Sequence, residues 1–174
     1  SHIAANYLVH KNLEPPFLCL LVSGGNTVIA EVTDYTSFKI LGQTTDDAAG
    51  ECFDKTARAL GLSYPGGVNL DKTATVADIK KYPLPTPHTE NPFDFSFSGL
   101  KTSVINLVHN ATQKGEELNL NDIAASFQYT VCDILTSHAK KAAKDLNQTK
   151  LVVAGGVSAN SGLRQMLKEQ RKKN

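Results

Sequence analysis

The sequence has no surplus of either charge, no paired cysteines and no long hydrophobic run, and each absence removes a class of protein. Lys and Arg together number 18 against 17 for Asp and Glu, so the overall charge marks neither a nucleic-acid binder nor a membrane-surface binder. Any basic patch has to be local. Cys19, Cys52 and Cys132 are odd in number, widely spaced and without a Cys-x-x-Cys pair. That argues against a disulfide framework or a zinc knuckle and fits reduced thiols. The apolar runs are only strand-sized, with no transmembrane span or signal peptide among them, so the expectation is a soluble, cytoplasmic protein with no membrane partner. With 174 residues, 41% of them hydrophobic and 20% charged, the chain has the length and composition of one ordinary globular core. It opens inside an expected helix (residues 2–12) without a Met start and stops on a basic helical tail, as an excised piece of a longer protein does.

What the chain does have is a buried-strand signal that runs into glycine. Phe17-Leu18-Cys19-Leu20-Leu21-Val22 is apolar on both faces and bounded by Pro15-Pro16, so it reads as a central strand. Ser23-Gly24-Gly25-Asn26 follows as a turn, and residues 27–33 and 37–42 continue an antiparallel meander. With no Cβ in the way, such a turn lets the backbone approach a ligand and its amides cradle an anion such as phosphate. A plain hairpin turn fits the same residues, and the turn alone does not decide. From Asp46-Asp47 the period changes: Ala49, Cys52, Phe53, Thr56, Ala57 and Leu60 recur at three- and four-residue steps. This predicts an amphipathic helix over 47–60 that ends at Gly61, with two carboxylates at its positive end. Tyr64-Pro65-Gly66-Gly67 reads as a turn whose glycines permit positive φ, with another helix starting near Leu70-Asp71.

Residues 82–99 hold Pro83, Pro85, Pro87 and Pro92 with Phe93, Phe95 and Phe97, which predicts an extended, ordered excursion packed on the core. Its aromatics suit the core better than a base-stacking platform. Helices are predicted over 99–114 and 121–146. The second carries Ile123, Phe127, Val131, Ile134, Leu135 and Ala142 on one stripe, with Asn119 or Asn121 as cap. His138, beside that stripe, reads as a packed and hydrogen-bonded histidine. The final unit is a strand at 150–154, then Gly155-Gly156-Val157-Ser158-Ala159-Asn160, then a helix from about Ser161. A strand that ends in Gly-Gly and feeds a helix N-terminus suits a nucleotide or phosphate, because close approach, free amides and the dipole act together. Two such turns in one chain are the pattern of a lobe that binds a nucleotide between them. The helix beyond carries Arg164, Lys168, Arg171, Lys172 and Lys173, which suit either a solvated face or contact with phosphates.

Leu21-Val-Ser-Gly-Gly-Asn-Thr27, Asp46-Asp-Ala-Ala-Gly-Glu-Cys-Phe-Asp-Lys-Thr-Ala57, Tyr64-Pro-Gly-Gly67, Phe93-Asp-Phe-Ser-Phe-Ser-Gly-Leu-Lys-Thr102 and Val153-Ala-Gly-Gly-Val-Ser-Ala-Asn160 closely resemble the TsaD family. These are the catalytic subunits of bacterial tRNA threonylcarbamoyladenosine biosynthesis, formerly described as O-sialoglycoprotein endopeptidases or glycoproteases. The motifs span nearly the whole chain. The resemblance implies an α/β fold, a mixed sheet flanked by helices, in the actin-like ATPase (ASKHA, ribonuclease H-like) class. Residues 1–174 would form its second, C-terminal lobe, with the N-terminal lobe and the final C-terminal segment absent. The implied reaction moves a threonylcarbamoyl group from threonylcarbamoyl-AMP to the N6 amine of the adenosine beside the anticodon in tRNAs reading codons that begin with A. Such a transfer needs a polarised carbonyl, a stabilised oxyanion and a held AMP leaving group. Backbone amides and a bound metal can supply these without a side-chain nucleophile.

The same resemblance implies partners and site residues. The partners are tRNA, threonylcarbamoyl-AMP and further subunits of the biosynthesis complex, a homologous paralogue among them. The ligand is an adenylate (threonylcarbamoyl-AMP, ATP or ADP), with a divalent metal, iron or zinc, as cofactor. Leu21, Val22, Ser23, Gly24 and Gly25 would contact the ligand's phosphate and acyl part. Asp54, Gly67, Asp71 and Asn160 match adenylate-binding positions, the carboxylates suiting ribose hydroxyls. His2 matches the second histidine of a His-x-x-x-His metal motif. No side chain is assigned a catalytic role.

Each of these residues also has a structural use: Asp54 facing Lys55 or Arg58, Gly67 in its turn, Asn160 as a helix cap, and Asp46, Asp47 and Glu51 as surface or dipole partners. The family usually has His where this chain has Asn26. Its first metal histidine falls upstream of Ser1 and its Asp ligand beyond Asn174, and one imidazole does not hold a metal that takes three or more protein ligands. The chain alone is therefore expected to fold without its parent's transferase activity. Two other functions stay open. A non-catalytic nucleotide-binding or dimerisation module of the same family fits the Asn26 change. A metal-dependent glycoprotease is the older reading, although the chain has no His-Glu-x-x-His helix and no glutamate placed as general base.

Overall fold

A segment that is apolar at every position is stable as a strand only where both faces are covered, and Phe17–Val22 (β1) is buried at all six positions. In the computed structural model, which describes residues 13–75 and 78–173 (residues 171–173 by backbone alone), β1 lies inside a four-stranded sheet of order β3-β2-β1-β4. Strands β2 (Thr27–Val32) and β3 (Phe38–Gln43) continue it as an antiparallel meander, and β4 (Leu151–Ala154) runs parallel to β1 on the other side. The helix expected over 2–12, and His2 within it, lie outside the described residues. Helices α1 (Ala49–Ala59), α2 (Gly66–Ala74), α3 (Ser98–Lys114), α4 (Leu120–Asp145) and α5 (Ser161–Lys173) make up the rest. A 3-10 turn, Gly156–Ala159, joins β4 to α5.

The main core forms where Leu18, Leu20, Val22 and Ile29 of the sheet meet the buried stripe of α4 and the inner faces of the other helices. Phe53 and Phe127 meet edge to face there, with ring centroids 5.6 Å apart. A smaller cluster, Phe17, Cys19, Val32 and Val152, occupies the opposite face of the sheet. The proline-rich excursion is ordered and ends in the core, as its aromatics predict. Phe95 and Phe97 are fully buried. Phe95 pairs with the chain leaving β3, donating from its N–H to the Gln43 carbonyl at 3.0 Å. His138 bonds the Ile134 carbonyl through Nδ1 at 2.6 Å and lies against Phe95, so it is a packed histidine. Asn119 caps α4 by accepting from the Asp122 amide at 3.1 Å.

Two expectations are corrected. Gly66 and Gly67 do not form a turn with positive φ; they are the first residues of α2, which starts well before Leu70 with Pro65 as its N-cap. Gly66 has a packing role, since a Cβ there would stand 3.0 Å from the Ala57 Cβ and 3.1 Å from the Asp54 Cα. The second correction concerns Asp46, which does not serve the helix it precedes. That helix starts at Ala49 with Ala48 as an N-cap that makes no side-chain bond. Asp46 turns instead to the start of α3, where Oδ1 accepts from the Phe97 and Ser98 amides at 2.8 and 3.2 Å. Its Oδ2 accepts from the Ser96 and Ser98 hydroxyls at 2.5 and 3.0 Å. Partial burial pushes this carboxyl up, but the Ser96, Phe97 and Ser98 bonds outweigh burial and hold it below the ordinary carboxylate range.

Asp46→Ala is expected to destabilise the fold by about 1–2 kcal/mol, as loss of a helix cap does. Because the folded carboxyl titrates below its unfolded counterpart, its contribution is complete above about pH 4 and fades as the pH falls through the depressed value. Urea denaturation from neutral pH down to acid should therefore show the wild type and the variant converging at the acid end. Parallel profiles would contradict the assignment.

Candidate functional site

The β1–β2 turn closes through Ser23, whose N–H donates to the Asn26 carbonyl at 2.8 Å while its Oγ accepts from the Asn26 amide at 3.0 Å. The start of α1 backs this turn: the Gly50 amide donates to the Ser23 carbonyl at 3.0 Å, and the Ala49 amide to Thr27 Oγ1 at 2.8 Å. A Cβ on Gly50 would stand 2.7 Å from the Gly24 Cα, so helix and turn touch backbone to backbone. Gly24 and Gly25 are different. Both are exposed, neither has positive φ, and a Cβ on either would meet nothing within 4 Å. Their amides donate to no acceptor among the described residues. The fold therefore has no need of glycine at either position, and the side on which a Cβ would stand is open space.

The end of β4 lies against the same place. Gly155 has φ +93, and a Cβ there would fall 2.2 Å from the Val22 carbonyl oxygen, so the second glycine turn is pressed onto the last residue of β1. Gly156 repeats the pattern of Gly24 and Gly25, exposed and with nothing within 4 Å of its Cβ position. The structure thus brings the two glycine turns side by side. Leu21 and Val22 are themselves buried, so what they offer a ligand is backbone.

The four remaining expected residues fall into two pairs, Asp54 with Gly67 and Asp71 with Asn160 through Gln128. Asp54, on α1, accepts from the Gly67 amide at 3.1 Å and so holds the start of α2, in place of an ion pair with Lys55 or Arg58. Asp71 lies one turn further along α2, on the same side as Gly67. Its carboxylate accepts from the Ser161 amide at 2.8 Å, from the Ser161 hydroxyl at 2.5 Å and from Gln128 Nε2 at 3.0 Å. Asn160, 9% exposed, caps α5 by accepting from the Leu163 amide at 3.0 Å, and donates from Nδ2 to Gln128 Oε1 at 2.9 Å. Gln128 and Ser161 were not legible as site residues. The available signal was a glutamine standing on the apolar stripe of α4, where a buried carboxamide requires partners.

Other chemistry-bearing groups are engaged elsewhere. Asp47 pairs with Lys101 at 3.0 Å and Lys55 at 3.7 Å, and Glu51 pairs with Lys55 at 2.6 Å. Burial pushes the Cys19 thiol up to about 11 and those of Cys52 and Cys132 up to about 12. None of the three is a thiolate nucleophile at neutral pH. Among the described residues no group of three or more His, Cys, Asp or Glu side chains could hold a metal ion. An open groove of about 410 Å³ lies between the proline-rich excursion and α3, lined by Lys81, Tyr82, Leu84, Ser103, Asn106 and Asn110. It shares no residue with the glycine turns. Among the described residues no helix is long and apolar enough to cross a membrane.

The mixed sheet backed by helices, with glycine turns at the ends of the adjacent parallel strands β1 and β4, is a fold of the actin-like ATPase type. Full-length HypF in a phosphate- and nucleotide-bound form matches with a TM-score of 0.71 at 16% identity, covering 98% of this chain and 37% of its own. The activator of 2-hydroxyisocaproyl-CoA dehydratase from Clostridium difficile matches at 0.54 and 16% identity, covering 91% of this chain and 53% of its own. At that identity the likeness concerns the fold alone. Sequence goes further: the profile of the family described as "TsaD: tRNA N6-adenosine threonylcarbamoyltransferase" matches residues 1–174, and the chain belongs to this family. A protein of that description from Clostridium perfringens (strain SM101 / Type A) is 50% identical over 169 residues, covering 96% of this chain and 50% of the relative. One from Clostridium kluyveri (strain ATCC 8527 / DSM 555 / NBRC 12016 / NCIMB 10680 / K1) is 49% identical over 176 residues, covering 100% and 52%. The chain thus spans about half the length of these relatives.

Cys19, Cys52 and Cys132 should react with a thiol reagent at pH 8 at least about a hundredfold more slowly in the folded chain than in urea. Rapid labelling of any of them under native conditions, read by mass spectrometry, would contradict the burial described.

Proposed function

We propose that this chain is the adenylate-holding lobe of a tRNA-modifying acyltransferase, which moves the threonylcarbamoyl group of threonylcarbamoyl-AMP to the N6 amine of the adenosine beside the anticodon in tRNAs that read codons beginning with A. The observation that carries the reading is the pair of glycine turns: Gly24, Gly25 and Gly156 have neither the φ nor the crowding that requires glycine, and they stand beside the contact of Gly155 with Val22. Glycine without a structural reason, with amides at 24 and 25 that donate to no acceptor among the described residues, suits a ligand whose phosphate and acyl oxygens approach the backbone.

In this reading the Ser23 to Gly25 turn donates amides to the ligand's phosphate and to the oxygen of the reacting carbonyl. Negative charge develops there as the amine attacks, and fixed amides stabilise it without reorganising. The C–N bond forms at the carbonyl carbon, the C–O bond to phosphate breaks, AMP leaves, and the amine loses a proton. Asp54 and Asp71 receive the ribose hydroxyls, with Gly67 and Asn160 shaping the adenylate side of the cleft. The divalent metal that the family reading carries, iron or zinc, finds no ligand set among the described residues, and these steps use amides and carboxylates only. The N-terminal lobe of the longer protein would supply the other wall of the cleft, and further subunits, including a homologous paralogue, would act with it in the cytoplasm.

One observation favours a second reading, a nucleotide-binding module without catalysis. Asn26, directly after Gly24-Gly25, stands where the family usually has His, so the turn lacks an imidazole beside the bare amides. Adenylate binding without tRNA modification, once the partner subunits are added, would select that reading.

Calorimetric titration of the chain with AMP, ATP and a stable threonylcarbamoyl-adenylate analogue tests the proposal. Gly24→Val is the key control, because the structure accommodates a side chain there. It should leave stability within about 0.5 kcal/mol of the wild type while weakening binding at least about tenfold. Equal binding by the variant, or no binding by the wild type at millimolar ligand, would overturn the proposal.

A further inference from the structure

A glutamine in the middle of a helix stripe is an unfavourable core residue unless both ends of its carboxamide are satisfied. Gln128 is 6% exposed on α4, among Ala124, Ala125, Phe127, Val131 and Cys132, all of them buried. Its two polar atoms do different things. Oε1 accepts from Asn160 Nδ2 at 2.9 Å, at the start of α5, and Nε2 donates to Asp71 Oδ1 at 3.0 Å, on α2. The route is kept open by Gly162, where a Cβ would stand 2.9 Å from Gln128 Nε2. One turn further along α4, Cys132 Sγ reaches Asn160 Oδ1 at 3.7 Å, closing the wall behind the asparagine.

We propose that Gln128 is the positioning residue of the adenylate site: a single buried carboxamide that ties Asp71 on α2 to Asn160 before α5 and so fixes the spacing of the two residues that flank the ligand. The proposal rests on the reading of Asp71 and Asn160 as adenylate contacts, but the geometry stands without it. An acceptor end and a donor end are both required. Asn160 can cap α5 through Oδ1 only while its amide group points away to an acceptor, and that acceptor is Gln128 Oε1. Asp71 sits at the N-terminus of α5, where the helix dipole favours its charge. Its Oδ1 accepts from the Gln128 amide and the Ser161 hydroxyl while its Oδ2 accepts from the Ser161 amide, so Gln128 braces the carboxylate that caps α5. An ionised glutamate in place of glutamine would keep the acceptor toward Asn160 and set a second negative charge against Asp71 where the donor was. Methionine would keep the volume and lose both.

Amide hydrogen exchange in the chain reads this without any ligand. In Gln128→Met, exchange at the Ser161 and Leu163 amides should speed up at least about tenfold while the β1 amides stay unchanged. In Gln128→Glu, Leu163 should keep its protection and Ser161 should lose it. Wild-type exchange at both amides in both variants would overturn the proposal. A second measurement follows binding of AMP or ATP. Gln128→Met should raise Kd about tenfold, and combining it with Asn160→Ala should cost no more than Asn160→Ala alone, because both changes break one unit. Fold losses that multiply would also overturn it. Should the wild type bind no adenylate, the functional reading fails, and the exchange experiment still decides the role of Gln128.

Discussion

The contact that the rest of this structure depends on is the one between Gly155 and the carbonyl of Val22. Any larger residue at 155 would carry a Cβ to 2.2 Å from that oxygen, in a backbone conformation with φ +93 that side chains disfavour. Because the contact is backbone on backbone, β4 runs parallel to β1 up to its last residue, and the turns that follow the two strands emerge together. Glycine turns more than a hundred positions apart in the chain thus lie side by side. Strand β1 can sit at the centre of that arrangement because it is apolar at every position and covered on both faces.

Around this centre, carboxylates act as connectors between helices. Asp46 holds the start of α3, Asp54 on α1 holds the start of α2, and Asp71 on α2 holds the start of α5. Each accepts amide bonds at a helix N-terminus that belongs to another element, so a charge favoured by one helix dipole also fixes the distance between two elements. The adenylate contacts proposed for Asp54 and Asp71 draw on the same oxygens. A ribose hydroxyl arriving there would compete with an existing helix cap, which couples occupancy of the site to the placement of α2 and α5.

The sequence carried the strands almost to the residue, because strand period, flanking proline and glycine, and complete apolarity all pointed one way. The excursion with Phe95 and Phe97 was legible for a related reason: proline forbids helix and aromatics demand burial. The start of α2 was misread because Pro65-Gly66-Gly67 is also turn chemistry, and only the close approach of Ala57 and Asp54 shows why glycine opens a helix here. Asp46 was misread because a carboxylate before a helix ordinarily serves that helix, whereas its partners Phe97 and Ser98 are distant in sequence. Gln128 was passed over, since a period rule counts it as one polar gap in an apolar stripe and does not name its partners. Long-range hydrogen bonds of this kind leave no periodicity to read.

The central claim is that the two glycine turns form one adenylate-binding surface. Its most direct test is a nitrogen-15 NMR titration of the chain with ATP, following the amides of Gly24, Gly25 and Gly156 individually. The account predicts that all three shift together along one saturation curve, with Asn106 and Asn110, in the separate groove on α3, unmoved. Shifts confined to one turn, or centred on that groove, would contradict it.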